Sequence, residues 1–182
     1  MLIDHRVHRF EEALQIIAPL LRTGRVDFRG KYYWAHEGEL RPGPIRSGGP
    51  PILIGAFQPR MLRLTARYAD MWNTCWLGPA RNLTPRQDAL LAACVQEGRD
   101  PATLAVTVGV NVFFNTPDTP LPDRANHENT VIGSIEQVAT VLHDYEVLGV
   151  EHVICNLNPH NKRALEQLSK ALHMYRLMEE KQ

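Results

Sequence analysis

The sequence predicts an α/β fold on a parallel sheet, in effect a partial TIM (β/α)8 barrel, and three observations predict it. Apolar runs of strand length alternate with stretches of helical periodicity: helix, excursion, then four strand–helix units, half of an eightfold barrel. The run Ile52-Leu53-Ile54 is apolar at every position, as expected where both faces of a parallel strand are covered. The length of 182 residues allows one domain, 1–182, with a real core, yet falls short of the ~250 residues typical of a closed barrel.

Each element has its own signal. Phe10, Leu14, Ile17 and Leu21 repeat at the spacing of one helix face, and Gly24 stops that helix. "VDFRGKYYWAHEGELRPGPI" mixes aromatics and β-formers broken by Gly30 and Gly38, the pattern of a short hairpin, and Ser47 to Pro51 lead into the strand at Ile52. Gln58 and Pro59 open the next helix, since proline is well tolerated in a first turn whose N–H has no helical partner. "ADMWN" supplies a second short strand. After Gly78 and Pro79, Thr84 and Gln87 stand at capping-box spacing before a helix whose inner face is Leu90, Leu91, Cys94 and Val95, ended by Gly98.

"TLAVTVGVNVFF" is the longest predicted strand, and "NTPDTPLPDRANHENTVIG" reads as a polar, proline-rich surface loop. Ser134 and Gln137 repeat the capping-box spacing, with Val138, Val141, Leu142 and Tyr145 facing inward before Gly149. "VEHVICNL" is the last strand. A helix from about Asn161 carries Leu165, Leu168, Leu172 and Tyr175 as its apolar stripe.

Composition narrows the classes of partner. Twenty Lys and Arg balance twenty Asp and Glu, so no overall field calls for nucleic acid or an anionic membrane. Arg60, Arg63 and Arg67 lie at helical spacing and read as a solvated face, with anion binding as the other reading. Cys75, Cys94 and Cys155 are far apart and form no C-x-x-C pair, which reads as reduced thiols, two of them in the core. With no apolar run of membrane length and no signal-peptide pattern, a cytoplasmic location is expected.

In parallel α/β folds ligands sit beyond the carboxyl ends of the strands. Here those ends are Gly55 to Gln58, Asn73 to Trp76, Asn115 and Thr116, and Asn156 to Asn158. Asparagine both donates and accepts hydrogen bonds, which suits a polar heterocycle or a phosphate better than a metal; it is also common in turns. Gly55 permits close backbone approach and the helix after it offers free N–H groups, so this turn is either an anion cradle or a plain strand–helix corner. Trp72 and Trp76 flank the second strand end, as pocket walls or as core. His36 is a lone candidate proton donor. His5 and His8 miss helical i, i+4 spacing and do not read as a metal pair. Without a Ser-His-Asp set, carboxylate pair or P-loop, any redox chemistry falls to a cofactor.

The blocks "RFEEALQII", "VDFRGKYYW", "RPGPI", "PPILIGAFQPRMLRLTARYADMWN" and "GSIEQVATVLHDYEVLGVEHVICNLNP" together resemble the luciferase-like monooxygenase superfamily of flavin- and deazaflavin-dependent oxidoreductases. The resemblance implies a (β/α)8 barrel holding FMN or a reduced deazaflavin coenzyme at its C-terminal face, of which this chain carries the last four strand–helix units. It implies monooxygenation or hydride transfer on a small organic substrate. By the same resemblance the cofactor phosphate sits at a glycine-rich loop before Pro-Arg. Gly55, Pro59 and Arg60 match that pattern, while Ala56, Phe57 and Gln58 replace its small residues. Gly55, Ala56, Phe57, Gln58, Arg60 and Trp72 are therefore the expected cofactor-binding residues. No position matches a catalytic acid or base of the family.

A half barrel leaves two edge strands, near Ile52 to Ile54 and Val153 to Leu157, with unpaired backbone groups. Three explanations follow: a truncated gene product, a separate chain supplying the first half, or two copies associating as a homo-oligomer. Truncation is the expectation, with the isolated chain inactive. The alternative function is a non-catalytic partner subunit or binding module that assembles through these edges.

Overall fold

The computed structural model describes residues 5–115 and 126–179. Helix α1 (Arg6–Thr23) ends at Gly24, whose φ of 79° is the left-handed cap that glycine adopts freely. Strands β1 (Arg25–Arg29) and β2 (Trp34–Glu39) form the expected antiparallel hairpin. Then follow β3 (Leu53–Gly55), α2 (Pro59–Tyr68), β4 (Met71–Leu77), α3 (Thr84–Glu97), β5 (Ala105–Phe114), β6 (Thr130–Gly133), α4 (Ile135–Val147), β7 (Val150–Leu157) and α5 (Lys162–Glu179).

The second sheet is parallel throughout. β3 pairs with β4, β4 with β5, and β5 with both β6 and β7. Asn111 and Val112 pair with β6 on one side and β7 on the other, so β6 takes over the edge of β5 that β4 occupies lower down. β3 and β7 stand at the two ends of the sheet, where the sequence places the edges.

One face of this sheet carries Ile54, Trp72, Val108, Val110, Val112 and Val131, all buried together with Leu62 and Ala66 of α2, Leu90 and Ala93 of α3 and Val138 and Leu142 of α4. The opposite face has a different chemistry. In register across it lie Leu53 and Gly55, Asn73 and Cys75, Thr107, Gly109 and Asn111, then His152, Ile154 and Asn156. Leu53 and Ile154, at the two edges, are 45% and 46% exposed.

Several expectations are corrected. Leu53 is not covered on its face, because that face looks away from the helices. Thr84 does not cap α3: a 3-10 turn, Ala80–Asn82, runs straight into the helix, Leu83 is the cap residue and already helical, and Gln87 reaches Leu148 O instead. The inner face of α3 is Leu90, Ala93 and Cys94, with Leu91 and Val95 exposed. On α5 the buried positions are Ala164 and Ala171, while Leu165 and Leu172 face out. Of the predicted loop, residues 130–133 form β6, and residues 116–125 lie outside the described residues. Cys94 is buried, whereas Cys75 and Cys155 are half-buried, so one thiol rather than two is fully in the core.

Candidate functional site

The carboxyl ends of the parallel strands gather the candidate residues. Gly55 closes β3 opposite Asn73, and Ala56 N donates to Asn73 O at 3.1 Å, so the chain stays bound to the sheet one residue past the strand. A Cβ built on Gly55 would find Asn73 O at 3.9 Å as its nearest neighbour, so the space above this turn is open. Phe57 is 67% exposed. Gln58 makes no side-chain cap and the first turn of α2 holds no acidic residue, so no side chain of that turn compensates the positive end of the helix.

Trp72 is placed in the core, with no exposed surface, and its indole N–H donates to Ala56 O at 2.8 Å. It shapes the Gly55–Gln58 turn from beneath and does not wall an open pocket. Arg60 lies 3.8 Å from Glu11 of α1, and Arg67 bridges Glu11 and Glu97, so the arginine row of α2 ties neighbouring helices together. His36 sits on β2 with Nδ1 3.5 Å from Asp27, away from the strand ends.

The end of β4 is irregular. Its pairing with β5 slips between Cys75 and Leu77, and Trp76, the extra residue, has φ 61° and is 57% exposed. Bulges of this kind re-aim a side chain at the rim of a sheet. Arg86 of α3 holds the strand in place by donating to Thr74 Oγ1 and Cys75 O.

Across the uncovered face the polar groups satisfy one another. Asn73 Nδ2 donates to Thr107 Oγ1 at 2.8 Å, and the Thr107 hydroxyl donates on to Trp72 O at 3.0 Å. Asn156 Nδ2 donates to Asn111 Oδ1 at 2.8 Å, which turns Asn156 Oδ1 toward His160 Nε2 at 2.9 Å. With that orientation His160 carries its proton on Nε2. Asn73 and Asn156 are thus brought onto one face. Asn115 follows β5 with its N–H on Gly133 O, and Thr116 is outside the described residues. Thr107, Asn111 and His160 escape the reading by strand ends. The signal for the first two is alternation, since Thr107, Gly109 and Asn111 interleave with Val106, Val108, Val110 and Val112.

The described part of this face presents the amides of Asn73, Asn111 and Asn156, small residues and the His152 imidazole, with Leu53 and Ile154 at its edges and no carboxylate. It suits a planar heterocycle with both donors and acceptors, next to a glycine turn whose N–H groups after Ala56 open the helix and suit a phosphate. The family profile of the luciferase-like monooxygenases matches residues 2–120. The chain belongs to the luciferase-like monooxygenase family.

Individual proteins extend the likeness. The phthiodiolone/phenolphthiodiolone dimycocerosates ketoreductase of Mycobacterium tuberculosis (strain ATCC 25618 / H37Rv) is 33% identical over 100 residues, which is 54% of this chain and 26% of that enzyme. An F420-dependent secondary alcohol dehydrogenase, solved with an F420-acetone adduct, superposes with a TM-score of 0.76 at 13% identity, covering 95% of this chain and 63% of that one. EDTA monooxygenase from Chelativorans sp. BNC1 gives 0.73 at 14% identity, covering 98% and 61%. The match thus spans about a quarter of the ketoreductase and under two thirds of the two solved chains. The fold likeness reaches β7 and α5, beyond the residues of the profile match.

Proposed function

We propose that the chain supplies the phosphate-binding turn and half of the ring-binding face of a flavin-type oxidoreductase acting on a small organic substrate. The observation that carries this reading is the face of Asn73, Asn111 and Asn156, which holds no carboxylate among the described residues, beside an open glycine turn. In it the backbone N–H groups of Phe57 and Gln58, beside Gly55, hold the cofactor phosphate, Arg60 adds positive charge that it shares with Glu11, and Ala56, whose N–H is bound to Asn73 O and whose carbonyl accepts from Trp72, fixes the turn. The fit is one of donor chemistry: an uncapped helix start, no acidic residue in its own first turn, and room above Gly55.

When bound, the cofactor supplies either a hydride or activated oxygen. A ketoreductase relative and the F420-acetone complex of a structural neighbour favour a deazaflavin and hydride exchange with a carbonyl carbon, with FMN-dependent monooxygenation as the other outcome. The chain's own part is to bind and orient; the other wall of the site, with its acid or base, belongs to a complementary half barrel. The described residues include no helix long and apolar enough to cross a membrane, and reduced thiols fit a cytoplasmic setting.

The two exposed sheet edges also support a second reading, a non-catalytic subunit that assembles through them. Fluorescence titration separates the two. Saturable one-to-one quenching of FMN or a deazaflavin, lost on Gly55→Val, is the expected result. Association with a complementary half barrel without any saturable quenching would overturn the cofactor reading and leave the assembly one.

A further inference from the structure

Between the turn after β4, the turn before β6 and α4 lies an open recess of about 400 Å3. Pro79 and Arg81 of the turn after β4, His127 of the turn before β6, Ile132 of β6, and Gln137 and Val141 of α4 line it. Its walls are fixed by contacts of their own. A Cβ on Gly78 would lie 2.9 Å from the carbonyl oxygens of His127 and Glu128, so the two loops touch backbone to backbone. Asn82 Nδ2 donates to Glu128 O at 2.9 Å and the Tyr145 hydroxyl to Gly78 O at 3.0 Å. Across the cavity, Gln137 Oε1 accepts from Ser134 N at 2.8 Å, which commits its oxygen and leaves its amide protons to face elsewhere.

The lining is one-sided in charge. It holds a guanidinium, an imidazole and an amide, over an apolar floor, and among the described residues no carboxylate. Arg81 forms no hydrogen bond or ion pair with the described residues. Several arginines of α1 and α2 are paired instead: Arg22 faces Asp70, Arg60 faces Glu11, and Arg67 faces Glu11 and Glu97. Arg81 and His127 are exposed at the rim of this recess, where a planar guanidinium can meet a planar or tetrahedral oxyanion through two parallel N–H groups.

We propose that this cavity binds an oxyanion, phosphate or carboxylate, carried on a ligand with an apolar segment. Arg81 supplies the ion pair, His127 and Gln137 further N–H donors, and Ile132 and Val141 the apolar wall. The site stands apart from the flavin reading, because none of its residues belongs to the Gly55 turn or the amide face. It has two possible occupants, the anionic arm of a cofactor and the anionic group of a substrate.

NMR titration of the whole chain tests it, with inorganic phosphate, acetate and butyrate as probes. The expected result is a saturable shift of the Arg81 Nε–H and His127 ring signals, with butyrate tighter than acetate because its chain reaches the apolar wall. Arg81→Gln should weaken phosphate at least about tenfold, the scale of one charge-assisted pair. Arg46→Gln, a change of an exposed arginine outside the cavity, should leave it unchanged. Displacement of phosphate by FMN or a deazaflavin assigns the anion to the cofactor, and simultaneous binding assigns it to a separate ligand. Shifts that never saturate, or that survive both Arg81→Gln and Arg81→Glu in proteins whose amide spectra show an intact fold, would overturn the proposal.

Discussion

Two glycines at this end of the sheet differ in what a side chain would meet. At Gly55 a Cβ meets only Asn73 O at 3.9 Å, whereas at Gly78 it meets two carbonyl oxygens at 2.9 Å. Gly55→Val should therefore change unfolding free energy by less than about 1 kcal/mol, the range of a tolerated surface change, while abolishing flavin-type binding by filling the space over the turn. Gly78→Val should cost about 1–3 kcal/mol through overpacking. Urea unfolding beside flavin quenching checks both, and a Gly55→Val protein that still quenches removes the turn from the site. Trp76 poses a related question. A left-handed backbone costs a non-glycine residue about 1–2 kcal/mol, and Trp76, 57% exposed, recovers little of that by packing. Trp76→Gly is expected to hold or raise the thermal midpoint, and a large drop would show that the ring packs rather than waits for a ligand. Burial raises the pKa of Tyr145, with Arg86 opposing, so its hydroxyl stays protonated through neutral pH and keeps its bond to Gly78 O.

At the scale of elements, the hairpin is fastened by one carboxylate. Glu12 of α1 accepts N–H bonds from Lys31, Tyr32 and Tyr33 at 2.7–2.9 Å. Burial pushes its pKa up, but these bonds and the Lys31 charge outweigh it and hold the carboxyl below its ordinary 4.5. A carboxylate with a depressed folded pKa stabilises fully above its unfolded value, and that contribution is lost as pH falls through the folded one. Amide exchange at residues 31–33 should therefore accelerate below the usual carboxylate range, and Glu12→Gln should accelerate it already at pH 7. Unaltered exchange in that variant would mean that packing alone docks the hairpin. Elements of this kind were partly legible in the sequence. Ser134 and Gln137 form the capping box that their spacing predicts. Thr84 and Gln87, at the same spacing, do not, because a preceding 3-10 turn makes Thr84 helical before it can cap. The faces of α3 and α5 were misread for one reason: Ala93, Ala164 and Ala171 go inward, where small side chains allow close approach, and counting large apolar residues favours Leu91, Val95, Leu165 and Leu172. β6 is a four-residue strand behind a polar stretch, too short for its alternation to register. The amide face was half legible, since strand-end asparagines were visible while Asn111 and His160 meet Asn156 only through the register of β5 with β7.

The whole molecule sets a constraint on what can complete it. A closed barrel of eight parallel strands has one helix position outside each pair of neighbouring strands. In this chain α2, α3 and α4 connect consecutive main strands, while α1 precedes β3 and α5 follows β7, so each end of the sheet already carries a helix. Two copies joined edge to edge would bring β3, β4, β5 and β7 twice, the right number of strands, but would set α5 of one against α1 of the other over the same crevice at both seams. A segment of four strands joined by three helices, beginning and ending on a strand, fills the remaining positions without that conflict. The expected behaviour follows from this count. Light scattering on the chain alone should show no closed two-fold dimer, and co-expression with such a segment should give a one-to-one complex. In that complex Leu53 and Ile154, now 45% and 46% exposed at the two edges, become protected. The amide face would then be enclosed, and hydrogen bonds among Asn73, Thr107, Asn111 and Asn156 would strengthen as water leaves. A stable homodimer protecting Leu53 and Ile154 would show instead that α1 or α5 can leave its place, and would make two copies of this chain the unit that builds the site.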